Sequence, residues 1–348
     1  MSLDLTASPS VFPLILDAPG DRVALVRLDE AAYQAASFLD ERIIAAGAEA
    51  NWTSWPRVEQ AGGRLPIDLD FIFHVSHVGS TLVSRLLGQS ERIFSLREPA
   101  ILRALAAVEG TLDTADSPWA RPRLETAVTA SLGLLSRVFR PRQRSLVKAT
   151  SFVGEMAVDL MTIAPSSRAI AMFVAPQVFL AGILAGPAAR GELLRTAPER
   201  LSRLHRRLGG AFRRIQSLSD GEVAAMTWTC ELLGLAAAAQ RFESRVLWVD
   251  FEAFLRRPGE GLAAMLAHLH GEADVDEVAA MLASRDFGRY SKAPEHPYDA
   301  RLRQRVLSRA MTDHRVEIER GLAWLNAAGG RHAPIAEAAK LAAASRAS

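Results

Sequence analysis

Cysteine and lysine are nearly absent from this chain. A single cysteine, Cys230, among 348 residues excludes an intrachain disulfide and a metal site built from cysteines. Lysine stands only at positions 148, 292 and 340; arginine supplies the rest of the 41 basic residues, chiefly the mark of an arginine-favouring codon bias. The charges almost cancel, to a net +2, too little for a protein that coats nucleic acid. No apolar run approaches the roughly 20 residues that span a bilayer. The opening M-S-L-D-L-T lacks the basic-then-apolar pattern of a signal peptide. The expectation is a cytoplasmic protein with neither nucleic acid nor membrane as its partner.

What is present is core-forming material, with 49% hydrophobic residues in a chain long enough to bury a full core. Residues 1–66 read as an accessory segment. It holds a weak strand at Arg22–Leu28, helical spacing over Asp29–Ala46, and a connector at Asn51–Pro66 punctuated by Pro56, Gly62, Gly63 and Pro66. From residue 67 to 328, apolar runs at 71–75, 93–96, 145–148, 168–174 and 245–249 alternate with helical patterns. That alternation predicts an α/β domain, a P-loop-type three-layer fold with a mostly parallel sheet flanked by helices. The apolar spacing from Leu302 to Leu325 reads as one long amphipathic helix ending near Gly329, and residues 329–348 as a low-complexity tail prone to fraying.

The stretch D-F-I-F-H-V-S-H-V-G-S-T-L-V-S-R-L-L, beginning at Asp70, is a strand, a small-residue loop and a helix. A loop that opens a helix after a parallel strand is where anions bind, on backbone N–H groups. Gly79 gives the backbone its freedom there, and Ser80 and Thr81 add hydroxyls at the helix start. The loop also fits a purely structural strand-to-helix turn. It is not the nucleotide-hydrolase loop G-x-x-x-x-G-K-[ST]: His74 stands at the first glycine and Ser80 at the lysine. It also lacks the three spaced glycines of a dinucleotide fingerprint.

F-H-V-S-H-V-G-S-T-L-V-S-R-L-L followed by L-R-E-P resembles the phosphosulfate-binding loop of the sulfotransferase family, particularly its divergent bacterial members. The pattern there is Pro-Lys/Arg-x-Gly-[ST]-Thr. Two further stretches, R-V-L-W-V-D-F-E-A-F-L-R-R-P and R-Y-S-K-A-P-E-H-P-Y-D, resemble later elements of the same family, in the same order. The resemblance implies transfer of a sulfuryl group from 3′-phosphoadenosine-5′-phosphosulfate to a hydroxyl or amine of a small-molecule acceptor, with no metal. It assigns Ser76, His77, Val78, Gly79, Ser80 and Thr81 to the 5′-phosphosulfate.

Glu98, at the carboxyl end of the second strand, is the candidate base for the acceptor; it also fits a pair with Arg97 or a cap for the helix after Pro99. His77 occupies the loop's usual lysine or arginine position, where an adjacent phosphate would draw the imidazole toward its cation. Lys148, beside Thr150 and Ser151, and Lys292, beside Arg289, Tyr290 and Ser291, are candidate phosphate contacts. Val174 and Gly182 stand near the positions where the family clamps the donor's 3′-phosphate with arginine and serine.

Two alternatives share the fold: a nucleotide- or phosphate-binding protein without catalysis, and a kinase-like phosphotransferase, which the absent loop lysine argues against. Other polar features carry plainer readings. Arg203, Arg206, Arg207, Arg213 and Arg214 read as a solvated helix face, Asp250 as a helix N-cap, and Trp228 and Trp248 as core. His268 and His270, two apart, do not share a helical face.

Overall fold

A computed structural model describes residues 5, 8–112, 114–209, 212, 214–288 and 300–344. Among the described residues there are two sheets. The N-terminal one is antiparallel, with β1 (Val11–Asp17), β2 (Arg22–Arg27) and β3 (Ala50–Ser54) in that spatial order. The second has five parallel strands: β4 (Leu69–His74), β5 (Ile93–Arg97), β6 (Arg144–Lys148), β7 (Ala169–Phe173) and β8 (Val246–Asp250). Their order is β5-β6-β4-β7-β8, every pairing is parallel, and helices flank the sheet. This is the α/β architecture that the alternating pattern predicts. β4 is buried along its whole length, as a central strand covered on both faces must be. Because β5 and β7 are reached on opposite sides of β4, the chain reverses direction at the carboxyl end of β4, where open α/β sheets hold ligands.

The N-terminal segment is more structured than its sequence suggests. Asn51–Pro66, expected as a connector, contains β3, paired with β2 from Arg22↔Ser54 to Val26↔Ala50, and the helix Trp55–Gly62. Pro56 sits in that helix's first turn, where no N–H is needed. Gly62 and Gly133 let this helix meet Arg121–Leu135 backbone to backbone. Asp29–Ala46 is not one helix but two short ones, Glu30–Ala35 and Arg42–Ala45. The helix stops because the intervening backbone is bonded elsewhere. Leu39 N–H donates to the Arg97 carbonyl (2.7 Å), and the Leu39 carbonyl accepts from Ala100 N–H (3.0 Å).

Two expectations near the C-terminus also change. The pattern over 302–325 is two helices, Ala300–Asp313 and Arg315–Arg331, broken at His314. The first packs on Pro176–Leu184 and the second mainly on Asp220–Phe242, so the chain must turn between them. The tail forms the helix Ala333–Ala344, with Ile335, Ala338 and Ala342 buried at helical spacing. No described helix is long and apolar enough to cross a membrane.

The arginine run requires the largest correction. Arg206 and Arg214 are exposed, Arg207 is half-buried and Arg213 lies outside the described residues, but Arg203 and its neighbour Arg200 lie inside, 2% and 3% exposed. Arg200 Nε donates to Glu231 Oε1 (2.8 Å), and Arg203 reaches Glu231 Oε2 (3.1 Å) and Glu155 (3.2 Å). Phe152 lies beneath both guanidinium groups, 4.3 and 5.8 Å from its ring centre. Burial opposes the Arg203 charge, but Glu231 and Glu155 outweigh it and hold its pKa above the usual arginine range. Burial pushes the adjacent Cys230 thiol up to about 12, so it stays protonated and unreactive.

Glu231→Gln keeps the shape but leaves two buried guanidinium groups sharing a neutral amide. It should cost about 1.5–3 kcal/mol, the value of hydrogen bonds to charged groups, read as a lower midpoint in urea unfolding. A variant within error of the wild type would show that the network contributes no stability.

Candidate functional site

β4 ends where Val75 N–H donates to the Met172 carbonyl of β7 (3.1 Å). The chain then turns sharply: Ser76, His77 and Gly79 have φ of +75°, +51° and +66°. Gly79 is the N-cap of the helix Ser80–Leu87, whose first backbone bond runs from Val83 N–H to the Gly79 carbonyl (3.1 Å). The N–H groups of Ser80, Thr81 and Leu82 therefore precede the helical ladder and face the loop's end. A Cβ on Gly79 would fall inside the Phe251 ring, so only glycine fits. The Val78 side chain is core, which limits its role to backbone. His77 Nε2 lies 3.9 Å from Glu192 Oε2, on the helix Pro187–Leu208.

The structure brings Glu98 and Lys148 together. Parallel pairing sets Arg97 of β5 opposite Lys148 of β6, and Glu98 N–H donates to the Lys148 carbonyl (2.7 Å). The Lys148 ammonium then forms an ion pair with Glu98 Oε1. Lys148 is fully buried, whereas the Glu98 side chain keeps 17% of its surface exposed. Neither simpler role for Glu98 fits. Arg97 instead donates to the carbonyls of Tyr33, Gln34 (2.9 Å) and Ala36 (2.7 Å), closing the helix Glu30–Ala35, and burial pulls its pKa down to about 10. The helix Ala100–Thr111 has Pro99 as its N-cap, with no side-chain cap bond.

Glu98 also has a left-handed backbone, at φ +51°. Among the described residues, the non-glycines with positive φ are Asp21, Ser76, His77, Glu98 and Glu243. Three of these five belong to this one sheet edge. Each costs on the order of 1–2 kcal/mol, and strain of this kind persists where function requires the geometry.

Ser151 opens a 3₁₀ turn after β6, and its hydroxyl oxygen lies 3.5 Å from Arg200 Nη2. Sequence reasoning missed this neighbour, although Leu193, Ala197, Arg200 and Leu204 share one helical stripe, which places Arg200 on the buried side. Asp250 is the N-cap read from the sequence, accepting from Glu252 N–H (2.8 Å) and Ala253 N–H (3.3 Å). Val174 is buried, and its carbonyl accepts from Trp228 Nε1 (3.0 Å). Gly182 faces Leu307 of Ala300–Asp313. Neither offers a side chain to a phosphate. Arg289 and Lys292 lie outside the described residues. Among the described residues, no three His, Cys, Asp or Glu side chains are grouped to hold a metal ion.

No family model matches the chain, and no curated protein matches it by sequence. Among solved structures it is similar to a sulfotransferase domain from the curacin biosynthetic pathway, at 11% identity and a TM-score of 0.45, covering 72% of this chain and 98% of that one. It is also similar to the sulfotransferase STF9 of Mycobacterium avium, at 15% identity and a TM-score of 0.37, covering 89% of this chain and 88% of that one.

Proposed function

We propose that this chain is a sulfotransferase-like enzyme that moves a sulfuryl group from 3′-phosphoadenosine-5′-phosphosulfate to a hydroxyl or amine of a small molecule. The observation that carries the reading is the strained backbone shared by Ser76, His77 and Glu98 at the carboxyl edge of the sheet. It coincides there with an uncapped helix start and a buried lysine. The order of motifs along the chain supports the same reading.

The 5′ end of such a donor fits these residues. The N–H groups of Ser80, Thr81 and Leu82 and the hydroxyls of Ser80 and Thr81 would hold its phosphosulfate. The donor, when bound, supplies a sulfuryl group whose departure leaves negative charge on phosphate. Lys148 would neutralise that charge in place of a loop lysine, and His77 would add a hydrogen bond. Glu98, oriented by Lys148 and still open to solvent on one side, would take the proton from the acceptor.

At the donor's 3′ end Val174 and Gly182 provide no side-chain clamp. That observation favours a second reading, a phosphate- or nucleotide-binding protein without catalysis. Incubation with the donor and a panel of phenols, alcohols and amines separates the two. Release of adenosine 3′,5′-bisphosphate that depends on the acceptor is the result expected of an enzyme. Donor binding without acceptor-dependent release across the panel would establish the binding protein instead.

A further inference from the structure

The short helices of the N-terminal segment leave a loop, residues 36–41, that lies over the Glu98–Lys148 pair. Three contacts fasten it. Leu39 exchanges backbone bonds with Arg97 and Ala100, on either side of Glu98. Ser37 Oγ accepts from Arg85 Nη2 (2.8 Å), on the helix that follows the candidate anion loop. Phe38 has two cations at its ring, with Arg42 Cζ 3.6 Å and Lys148 Nζ 5.7 Å from the ring centre. Asp40 holds Arg42 in turn, accepting from its Nε (2.8 Å) and its backbone N–H (3.1 Å).

We propose that Phe38 is a positioning residue of this site: its ring, lying under the Arg42 guanidinium, keeps the Lys148 ammonium on Glu98 and shields that ammonium from water. A cation within about 6 Å of an aromatic ring centre is attracted by the ring's electron density, more strongly where water is excluded. Lys148 is fully buried, so that attraction acts with little screening. The N-terminal segment is then a working part of the site rather than an accessory. The proposal rests on the reading of Lys148 as a group that meets the donor's phosphate.

With only three lysines in the chain, the test needs no donor. Brief acetylation of the full-length protein with acetic anhydride, followed by peptide mass spectrometry, compares Lys148 with exposed Lys340. Phe38→Leu, which keeps apolar cover but removes the ring, should speed acetylation of Lys148 relative to Lys340 by about 2- to 30-fold, the range spanned by cation–π attraction. Phe38→Trp should restore the wild-type ratio. Arg42→Gln, which leaves the ring but releases it, should raise the ratio by a smaller factor and serves if the leucine variant does not fold.

An unchanged ratio in the leucine variant, or in the glutamine variant where leucine does not fold, would overturn the proposal. So would a tryptophan variant labelled as fast as the leucine one. Failure of the unsubstituted protein to bind adenosine 3′,5′-bisphosphate would instead remove the donor reading, and the labelling ratio would still decide the role of Phe38.

Discussion

Glu98→Gln should lower turnover by about 10²–10⁴-fold, the usual contribution of a general base, while donor affinity stays within a few-fold of the wild type. The amide preserves the side chain's shape and can still accept from Lys148, so the ammonium remains in place. What it loses is the capacity to take a proton from the acceptor. The expected signature is therefore a fall in kcat with little change in the Kd for adenosine 3′,5′-bisphosphate, measured on protein whose melting confirms folding. Lys148→Ala should show the opposite emphasis, because it removes the buried cation proposed to meet the donor's phosphate: weaker bisphosphate binding, together with lower stability from an unpaired carboxylate. If Glu98→Gln weakened binding and left kcat intact, Glu98 would be a tether for Lys148 and not a base.

Gly79→Asp should weaken bisphosphate binding by at least about 100-fold, which corresponds to about 2.7 kcal/mol. Three effects add. A side chain at φ +66° costs on the order of 1–2 kcal/mol, somewhat less for aspartate than for most residues. The new Cβ must displace the Phe251 ring, and such overpacking typically costs roughly 1–3 kcal/mol. The carboxylate also places negative charge where phosphate is expected. Gly79→Ala separates these effects, since it retains the steric cost without the charge. Both variants should melt below the wild type, and the aspartate should bind less than the alanine. Equal binding by wild type and aspartate would place the anion elsewhere.

Much of the fold was legible because parallel strands and their helices are local patterns. The apolar runs that became β4 to β8 are short, β4, β5 and β7 are buried throughout, and only the edge strand β8 is half-buried along most of its length. The N-terminal sheet was not, because β3 is a half-exposed strand with little apolar signal, held by its pairing with β2. Likewise the break in Asp29–Ala46 follows from bonds to residues 97 and 100, which no local pattern encodes.

The site shows the same division. Glu98 and Lys148 stood out singly, since each follows or ends a strand at the same sheet edge. Their ion pair depends on the register between β5 and β6, fifty residues apart in sequence. Phe38 belongs to a loop whose importance comes only from what it covers. Arg203 breaks the rule that charge marks a helix's solvent face, because its partners Glu231, buried, and Glu155, half-buried, lie on other elements.

The most direct test of the proposed chemistry is calorimetric titration of the protein with adenosine 3′,5′-bisphosphate, AMP and ATP. A sulfotransferase-type site should bind the bisphosphate more tightly than AMP or ATP and lose affinity in Lys148→Ala. Binding with no preference for the 3′-phosphate, unchanged by Lys148→Ala, would contradict it.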